Sequence, residues 1–278
     1  MTSPLRTYPQ GVPCWVDIEK ADPGGATDFY GAVLGWEFHA ATPPDSPSTY
    51  LIATLEGEDA AAIGSGNDGD WNTYIAVDDA DEASERVTAA GGTVLVPVAD
   101  AGPGGRLAVC ADRDGAVFRL WQAKQRLGAQ IVNQPGAWNF SILQVPDPES
   151  ALAFYAEVFG WTSIGGDPAL GDIMIAVPGY GDHLAATVDP GIHERQEFAP
   201  PGFADVVGGI ARAEVGTAPR WLVQFSIGDR DAVVESALAR SGTVVGTRDT
   251  DYTYEATLRD AQGAEFRVGQ FHMPEPEE

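Results

Sequence analysis

Apolar residues along this chain recur at two spacings, and the alternation between them follows one order several times over. Residues 14–19, CWVDIE, alternate as a strand does, and Asp22-Pro23 then marks a helix start. Within ATDFYGAVLGW (26–36), Ala26, Phe29, Tyr30 and Val33 stand at helical spacing, and Gly35 is placed to cap the C-terminus. GWEFHAA, STYLIATL and DAAAIGS follow as strands, so the unit is β-α-β-β-β. The next stretch keeps that order. WNTYIAVDD (71–79) is a strand and DADEASERVTAAGG a helix closed by Gly91-Gly92. TVLVPVAD, GRLAVCAD and AVFRLWQ are three strands, the last two joined by a hairpin at Arg113-Asp114-Gly115. Residues 12–125 therefore hold two modules.

The helix phrase then returns. ALAFYAEVFGW at 151–161 matches ATDFYGAVLGW at six of eleven positions, 125 residues later, and a repeated sequence unit signals a repeated structural one. Residues 137–272 run through the whole order again: WNFSILQV, the helix PDPESALAFYAEVFGW, the strand WLVQFSIGD and the helix DRDAVVESALARSGT. The halves close alike, with GAVFRLWQ and GAEFRVGQ, and residues 126–136, with Gly128, Asn133, Pro135 and Gly136, read as the linker. One departure stands out. Where the first half turns through GNDGD, the second has about thirty residues, 188–220, after a strand expected to start at His183. A loop of that length is expected to be a lid or a dimer contact, with FADVVGGIARAEV as a short helix.

Charge narrows the partners. With 16 basic against 41 acidic residues, net −25, the chain lacks the clustered Lys and Arg that follow a phosphate backbone or an anionic membrane. Neither nucleic acid nor membrane is an expected partner; a small organic molecule is, with the protein a monomer or a homodimer. Cys14 and Cys110 are too few for a disulfide framework and read as buried apolar residues. The start, MTSPLRTYPQGVP, has no signal-peptide core, and no apolar run is long enough to span a bilayer, which points to the cytoplasm.

The phrases FYxxVxGW, VDD-A-DEA, GGTV and DRDGAVFRLWQ resemble the vicinal oxygen chelate superfamily, which includes glyoxalase I, extradiol dioxygenases and bleomycin-resistance proteins. GVPCWVDIE at the start is similar to tandem two-domain, actinobacterial glyoxalase-like proteins. The resemblance covers nearly the whole chain. It implies an α+β fold of two tandem domains, each a pair of βαβββ modules forming a half-barrel around a cavity. Metal-dependent members place His or Glu on the first and last strands of each module. The corresponding positions here are Trp15, Asn72 and Gln122 in the first half, with the fourth near Ala62 and Ile63. In the second half they are Phe140, Leu222 and Gln270, with Ala186 or Thr187. None is His, Asp, Glu or Cys, so no metal or other cofactor is expected. His39, His183, His193 and His272 are spread along the chain with no second His at strand or helix spacing.

Strand alternation supplies other candidates. If Trp15 points into the cavity, so do Asp17 and Glu19. An acid in an apolar cup is desolvated, which raises its pKa and suits a proton-transfer role. Asp17 is thus the candidate catalytic group, with Trp15, Glu19, Asn72, Tyr74, Gln122, Phe140 and Gln270 as candidate substrate contacts. Arg119 and Arg267, at odd spacing from the glutamines, are expected to face away from the cavity. The second half, with Phe140, Ile142 and Gln144, reads as an apolar lining without an acid. No GxSxG, GxxxxGK[ST], HExxH or CxxC occurs, and GPGG (102–105) lies between strands. Three readings remain open: a metal-independent isomerase or lyase acting on a carbonyl-rich or aromatic compound, a non-catalytic drug-binding protein, and a metal-dependent enzyme with displaced ligands.

Overall fold

A computed structural model describes residues 4–165 and 173–273. The first module is β1 (Pro13–Lys20), α1 (Pro23–Leu34), β2 (Glu37–Ala40), β3 (Tyr50–Leu55) and β4 (Glu58–Ser65). The second is β5 (Asn72–Ala76), α2 (Ala80–Ala89), β6 (Thr93–Asp100), β7 (Gly105–Ala111) and β8 (Val117–Ala123). The third is β9 (Trp138–Val145), α3 (Pro148–Phe159), β10 (Thr162–Ser163) and β11 (Ile173–Ala176), then α4 (Tyr180–Thr187), α5 (Ile192–Arg195), a 3-10 turn at Phe203–Asp205 and β12 (Val206–Arg212). The fourth is β13 (Arg220–Ser226), α6 (Arg230–Leu238), β14 (Thr243–Asp249), β15 (Thr253–Arg259) and β16 (Glu265–Phe271). They build two eight-stranded sheets, ordered β2-β3-β4-β1-β5-β8-β7-β6 and β10-β11-β12-β9-β13-β16-β15-β14. The fold is α+β, with each half a pair of modules.

The repeated phrase forms matching helices by matching chemistry. Asp22 accepts a hydrogen bond from Gly25 N at 3.0 Å, Pro23 opens α1, and Gly35 closes it at φ 77°. Asp147, Pro148 and Gly160 (φ 76°) do the same for α3. A left-handed residue at the C-cap favours glycine, which is why both copies read GW.

The insertion is displaced from its expected place. Residues 180–187 form a helix, not a strand, and the fourth strand of the module is β12. The extra chain therefore lies between β11 and β12, where the first half has only Glu56-Gly57 between β3 and β4. Composition explains both states. HLAAT carries good helix formers, whereas Val206, Val207 and Ile210, with Gly208 and Gly209, disfavour a helix and suit pairing beside β9. The expected helix in FADVVGGIARAEV is this 3-10 turn and strand.

By packing, the chain divides into two compact units, each combining modules from both halves. Unit 1 comprises residues up to Trp15, Thr73–Gly128 and Ser141–Trp221; unit 2 comprises Val16–Asn72, Ala129–Phe140 and the residues from Leu222 onward. In unit 2, α1 packs with α6, and Tyr30, Trp36, Trp71, Phe225 and Phe266 form an aromatic core. In unit 1, α2 packs with α3 around Phe118, Phe154, Tyr155, Trp161 and Trp221. The phrase FYxxVxGW supplies each core. Tyr30 stacks on Trp36 at 5.8 Å, whose indole donates to Gly136 O; Tyr155 stacks on Trp161 at 4.7 Å, whose indole donates to Gly11 O. Burying each such ring contributes about 1.5–3 kcal/mol, so the phrase recurs because two cores need it.

Candidate active site

On β1, Val16 and Ile18 are buried on the side of α1, and alternation puts Asp17 on the opposite face. Asp17 pairs in register with Ala62, and Ala62 with Ile52. The carboxylate is 1% exposed, with both oxygens held: Tyr50 Oη donates to Oδ2 at 2.9 Å, and Asn72 Nδ2 donates to Oδ1 at 2.9 Å. Tyr50 escaped sequence reading because its face is fixed only by the β3–β4 register, which carries a shift between Ala53 and Thr54. Glu19 is half-buried and packs over two glycines; a Cβ on Gly66 would lie 2.9 Å from its Oε2. Trp15, in unit 1, is buried at 8% exposure.

The second module corrects two expectations. Tyr74 pairs in register with Arg119, whose Nη1 donates to Tyr74 Oη at 2.8 Å while the guanidinium sits 5.3 Å over the ring. Trp121 meets Tyr74 edge-on at 6.1 Å. Arg119 thus shares the face of Tyr74 and does not turn away. Gln122 belongs to the other face, with Phe118 and Leu120, and its Oε1 accepts from Ala80 N at the start of α2. The glutamine is part of a helix terminus. Counting seven residues from Gly115 crosses an odd number of alternations, which put Gln122 and Arg119 on each other's sides. Gln270 is corrected in the same way: its Oε1 accepts from Arg230 N, the first residue of α6, at 2.9 Å.

In the third module, Phe140, Ile142 and Gln144 are half-buried while Ser141, Leu143 and Val145 face the core. Gln144 accepts from Arg220 Nε at 3.0 Å. In the fourth module, Gln224 and Arg267 pair in the register that Tyr74 and Arg119 have. Phe266 and Val268 are fully buried toward α6, so Gln224, Arg267 and Gly269 lie on the opposite face, and Arg267 Nη1 is 3.7 Å from Glu255 Oε2. The expectation of a second half without an acid is therefore corrected. Glu255 lies on β15, where its face is set by the pairing of Glu255 with Gly269 of β16 and not by any local sequence signal.

Two family descriptions match the chain: the Glyoxalase/Bleomycin resistance protein/Dioxygenase superfamily over residues 15–120 and a glyoxalase-like domain over residues 140–269. CFP32 of Mycobacterium bovis, named a "putative glyoxylase", is 34% identical over 270 residues, covering 94% of this chain and 95% of its own. The chain belongs to the glyoxalase/bleomycin resistance/dioxygenase superfamily. Two further superfamily relatives carry a different name. The anthracycline biosynthesis proteins DauV of Streptomyces sp. (strain C5) and DnrV of Streptomyces peucetius are each 28% identical, over 98% and 95% of this chain and 98% and 94% of theirs. Among solved structures, the 2,3-dioxygenase LapB from Pseudomonas sp. KL28 superposes with TM-score 0.60 at 14% identity, over 96% of this chain and 95% of that one. The Mn(II)-bound glyoxalase from Novosphingobium aromaticivorans gives 0.59 at 14%, over 96% and 89%. These two likenesses show the superfamily fold.

Metal-dependent members of the superfamily raise the question of whether this chain's donors fit an ion. Among the described residues, no three His, Cys, Asp or Glu side chains come together as a metal-holding group. The pairing of β12 with β9 moves the fourth aligned position of the second half from Ala186 or Thr187 to Gly209, which faces Ile142 as Ala62 faces Asp17. That position offers no donor. Cys14 and Cys110 are buried, and burial pushes the Cys110 thiol up to about 12 and the Cys14 thiol higher still, which keeps both protonated. His183 lies in α4 against Thr7, His193 meets Asp182, and His272 stacks on Tyr254. These residues do not fit a divalent ion. Among the described residues, no helix is long and apolar enough to cross a membrane.

Proposed function

We propose that the first half of this chain is a metal-independent enzyme of proton transfer, acting by isomerisation, cyclisation or elimination on a carbonyl-rich or aromatic compound, with Asp17 as proton acceptor. The observation that carries this reading is the buried Asp17 carboxylate, fixed between Tyr50 and Asn72. Such a group is oriented before substrate arrives and reacts out of bulk water, which is what proton abstraction beside a carbonyl requires. In the proposed step, one oxygen takes the proton from carbon and the C–H bonding pair moves toward the carbonyl, leaving an enolate and a neutral Asp17. Return of the proton to another carbon gives an isomer, and departure of a leaving group completes an elimination. Tyr50 and Asn72 hold the carboxyl group through both stages. The names of DauV and DnrV support aromatic compounds of secondary metabolism as the substrate class.

A second reading, drug binding without turnover, is favoured by the same geometry, because a carboxylate held at both oxygens also serves as a fixed recognition group. Asp17→Asn separates the two. Loss of turnover of about 10² or more with ligand binding and melting temperature retained supports catalysis; weakened binding with unchanged turnover of bound ligand supports recognition.

A further inference from the structure

A base shut away from water must still release each proton it takes, and the donors around Asp17 differ in whether they can receive it. Asp17, 1% exposed, is held by Asn72 Nδ2 at one oxygen and Tyr50 Oη at the other, each at 2.9 Å. A carboxamide N–H orients an oxygen and keeps its proton. A phenol O–H both gives and accepts a bond, so it can pass one proton on as it receives another. The two oxygens are thus held alike in geometry and differently in chemistry.

Placement supports the same division. Strand pairing arranges the inner face of β1, β4 and β3 in rows, all within unit 2. Asp17, Ala62 and Ile52 make one row, each of them buried. Glu19, Gly64 and Tyr50 make the next row on that face, and there Glu19 and Tyr50 are half-buried. Beyond it the chain is at the surface, with Thr49 and Gly66 exposed. Tyr50 is rooted in the outer row, and its hydroxyl reaches back to the inner one. Its main chain is fixed: N donates to Thr42 Oγ1 at 3.2 Å, and O accepts from Ala41 N at 2.8 Å. Gly64 puts no side chain between the ring and Glu19; a Cβ there would lie 3.4 Å from Tyr50 Cδ2 and 3.6 Å from Glu19 Cγ. Tyr50 therefore runs from the solvated end of the sheet to the closed carboxylate.

We propose that Tyr50 carries the proton between Asp17 and solvent, a role that rests on the proton-transfer reading of Asp17 and adds a step to it. Once Asp17 has taken the proton from carbon, its O–H donates to Tyr50 Oη, reversing the bond of the resting state, while the phenol proton passes to water. Asp17 is then again a carboxylate and Tyr50 again a phenol, and a solvent proton enters by the same path to reach the enolate. The test is isomerisation of allyl phenyl ketone to its conjugated isomer by the full chain in D₂O, followed by proton NMR. Asp17 takes a proton from the carbon beside the carbonyl and returns one to the terminal carbon, and a proton exchanged through Tyr50 returns as deuterium. The wild type should place mostly deuterium at the terminal carbon. Tyr50→Phe keeps the ring and should still isomerise, with deuterium per turnover lower by about fivefold or more as the original proton is handed back. A merely structural defect would slow the reaction without moving that ratio. Equal deuteration by both proteins, an undeuterated product from the wild type, or loss of all turnover in folded Tyr50→Phe overturns the proposal. Each of these leaves the reading of Asp17 standing as long as Asp17→Asn abolishes turnover. A wild type that does not isomerise the ketone, or an Asp17→Asn variant that matches it, removes that reading and the proposal together.

Discussion

Asp112 in unit 1 and Asp260 in unit 2 occupy the same turn of the fold, yet among the described residues only Asp260 has a counter-charge. Both carboxylates accept from two backbone N–H groups of their own hairpin: Asp112 from Asp114 and Ala116, Asp260 from Gln262 and Ala264. Each also accepts from the tyrosine of the repeated phrase, Tyr155 at 3.0 Å and Tyr30 at 2.9 Å, and each tyrosine is met by an indole, Trp221 or Trp71. The difference is one residue on the first strand of the half. Lys20, fully buried, lies 3.1 Å from Asp260, whereas the corresponding residue on β9 is Val145. Without a cation, burial raises the pKa of Asp112, outweighing its hydrogen bonds from Ala116 and Tyr155. Backbone and phenol donors thus suffice to place a buried aspartate, but here they do not offset its desolvation.

The largest test of this contrast is removal of the cation. Lys20→Met leaves Asp260 buried and uncompensated and should cost about 3–5 kcal/mol in urea unfolding. Adding Asp260→Asn should recover a large part of that loss, and a double mutant as unstable as the single one would break the account. Next come the glycines that admit the repeated phenylalanines. A Cβ on Gly92 would lie 3.0 Å from Phe154 and 2.7 Å from Ala111 O; on Gly242 it would lie 2.9 Å from Phe29 and 3.0 Å from Arg259 O. Gly92→Ala and Gly242→Ala should each destabilise by about 1–3 kcal/mol, and equal stability of either variant would contradict the packing described.

The smallest effect is in pH dependence. Asp112 has a folded pKa above its unfolded value near 3.8, so its stabilising contribution is complete below that value and is lost as pH rises through the folded pKa. Besides its backbone donors, Tyr155 and Asp114 face it. Asp112→Asn should therefore flatten the decline in melting temperature between about pH 4 and neutrality, and Val145→Lys should flatten it by supplying the cation. An unchanged profile in both variants would remove Asp112 as its source.

Period and punctuation made the fold legible, because Asp-Pro starts, Gly-Trp stops and apolar spacing are local signals. The site was legible only where one strand sufficed. Alternation along β1 is enough to set Asp17 opposite the buried Val16 and Ile18. Tyr50 and Glu255 depend on inter-strand register, and Gln122 and Gln270 were misplaced because a one-residue error exchanges the faces of a strand. The position of β12 was hidden by the insertion: 29 residues separate β11 from β12, where two separate β3 from β4.

The proton-transfer account is tested most directly by hydrogen–deuterium exchange at carbon. Aryl ketones of the acetophenone and tetralone types, which carry exchangeable protons beside the carbonyl, are incubated with the protein in D₂O and followed by proton NMR, with and without a chelator. The account predicts enzyme-dependent exchange that survives chelation, with elemental analysis finding no stoichiometric divalent ion, and that falls about 10²-fold or more in folded Asp17→Asn. Exchange abolished by the chelator, or retained in full by Asp17→Asn, would contradict it.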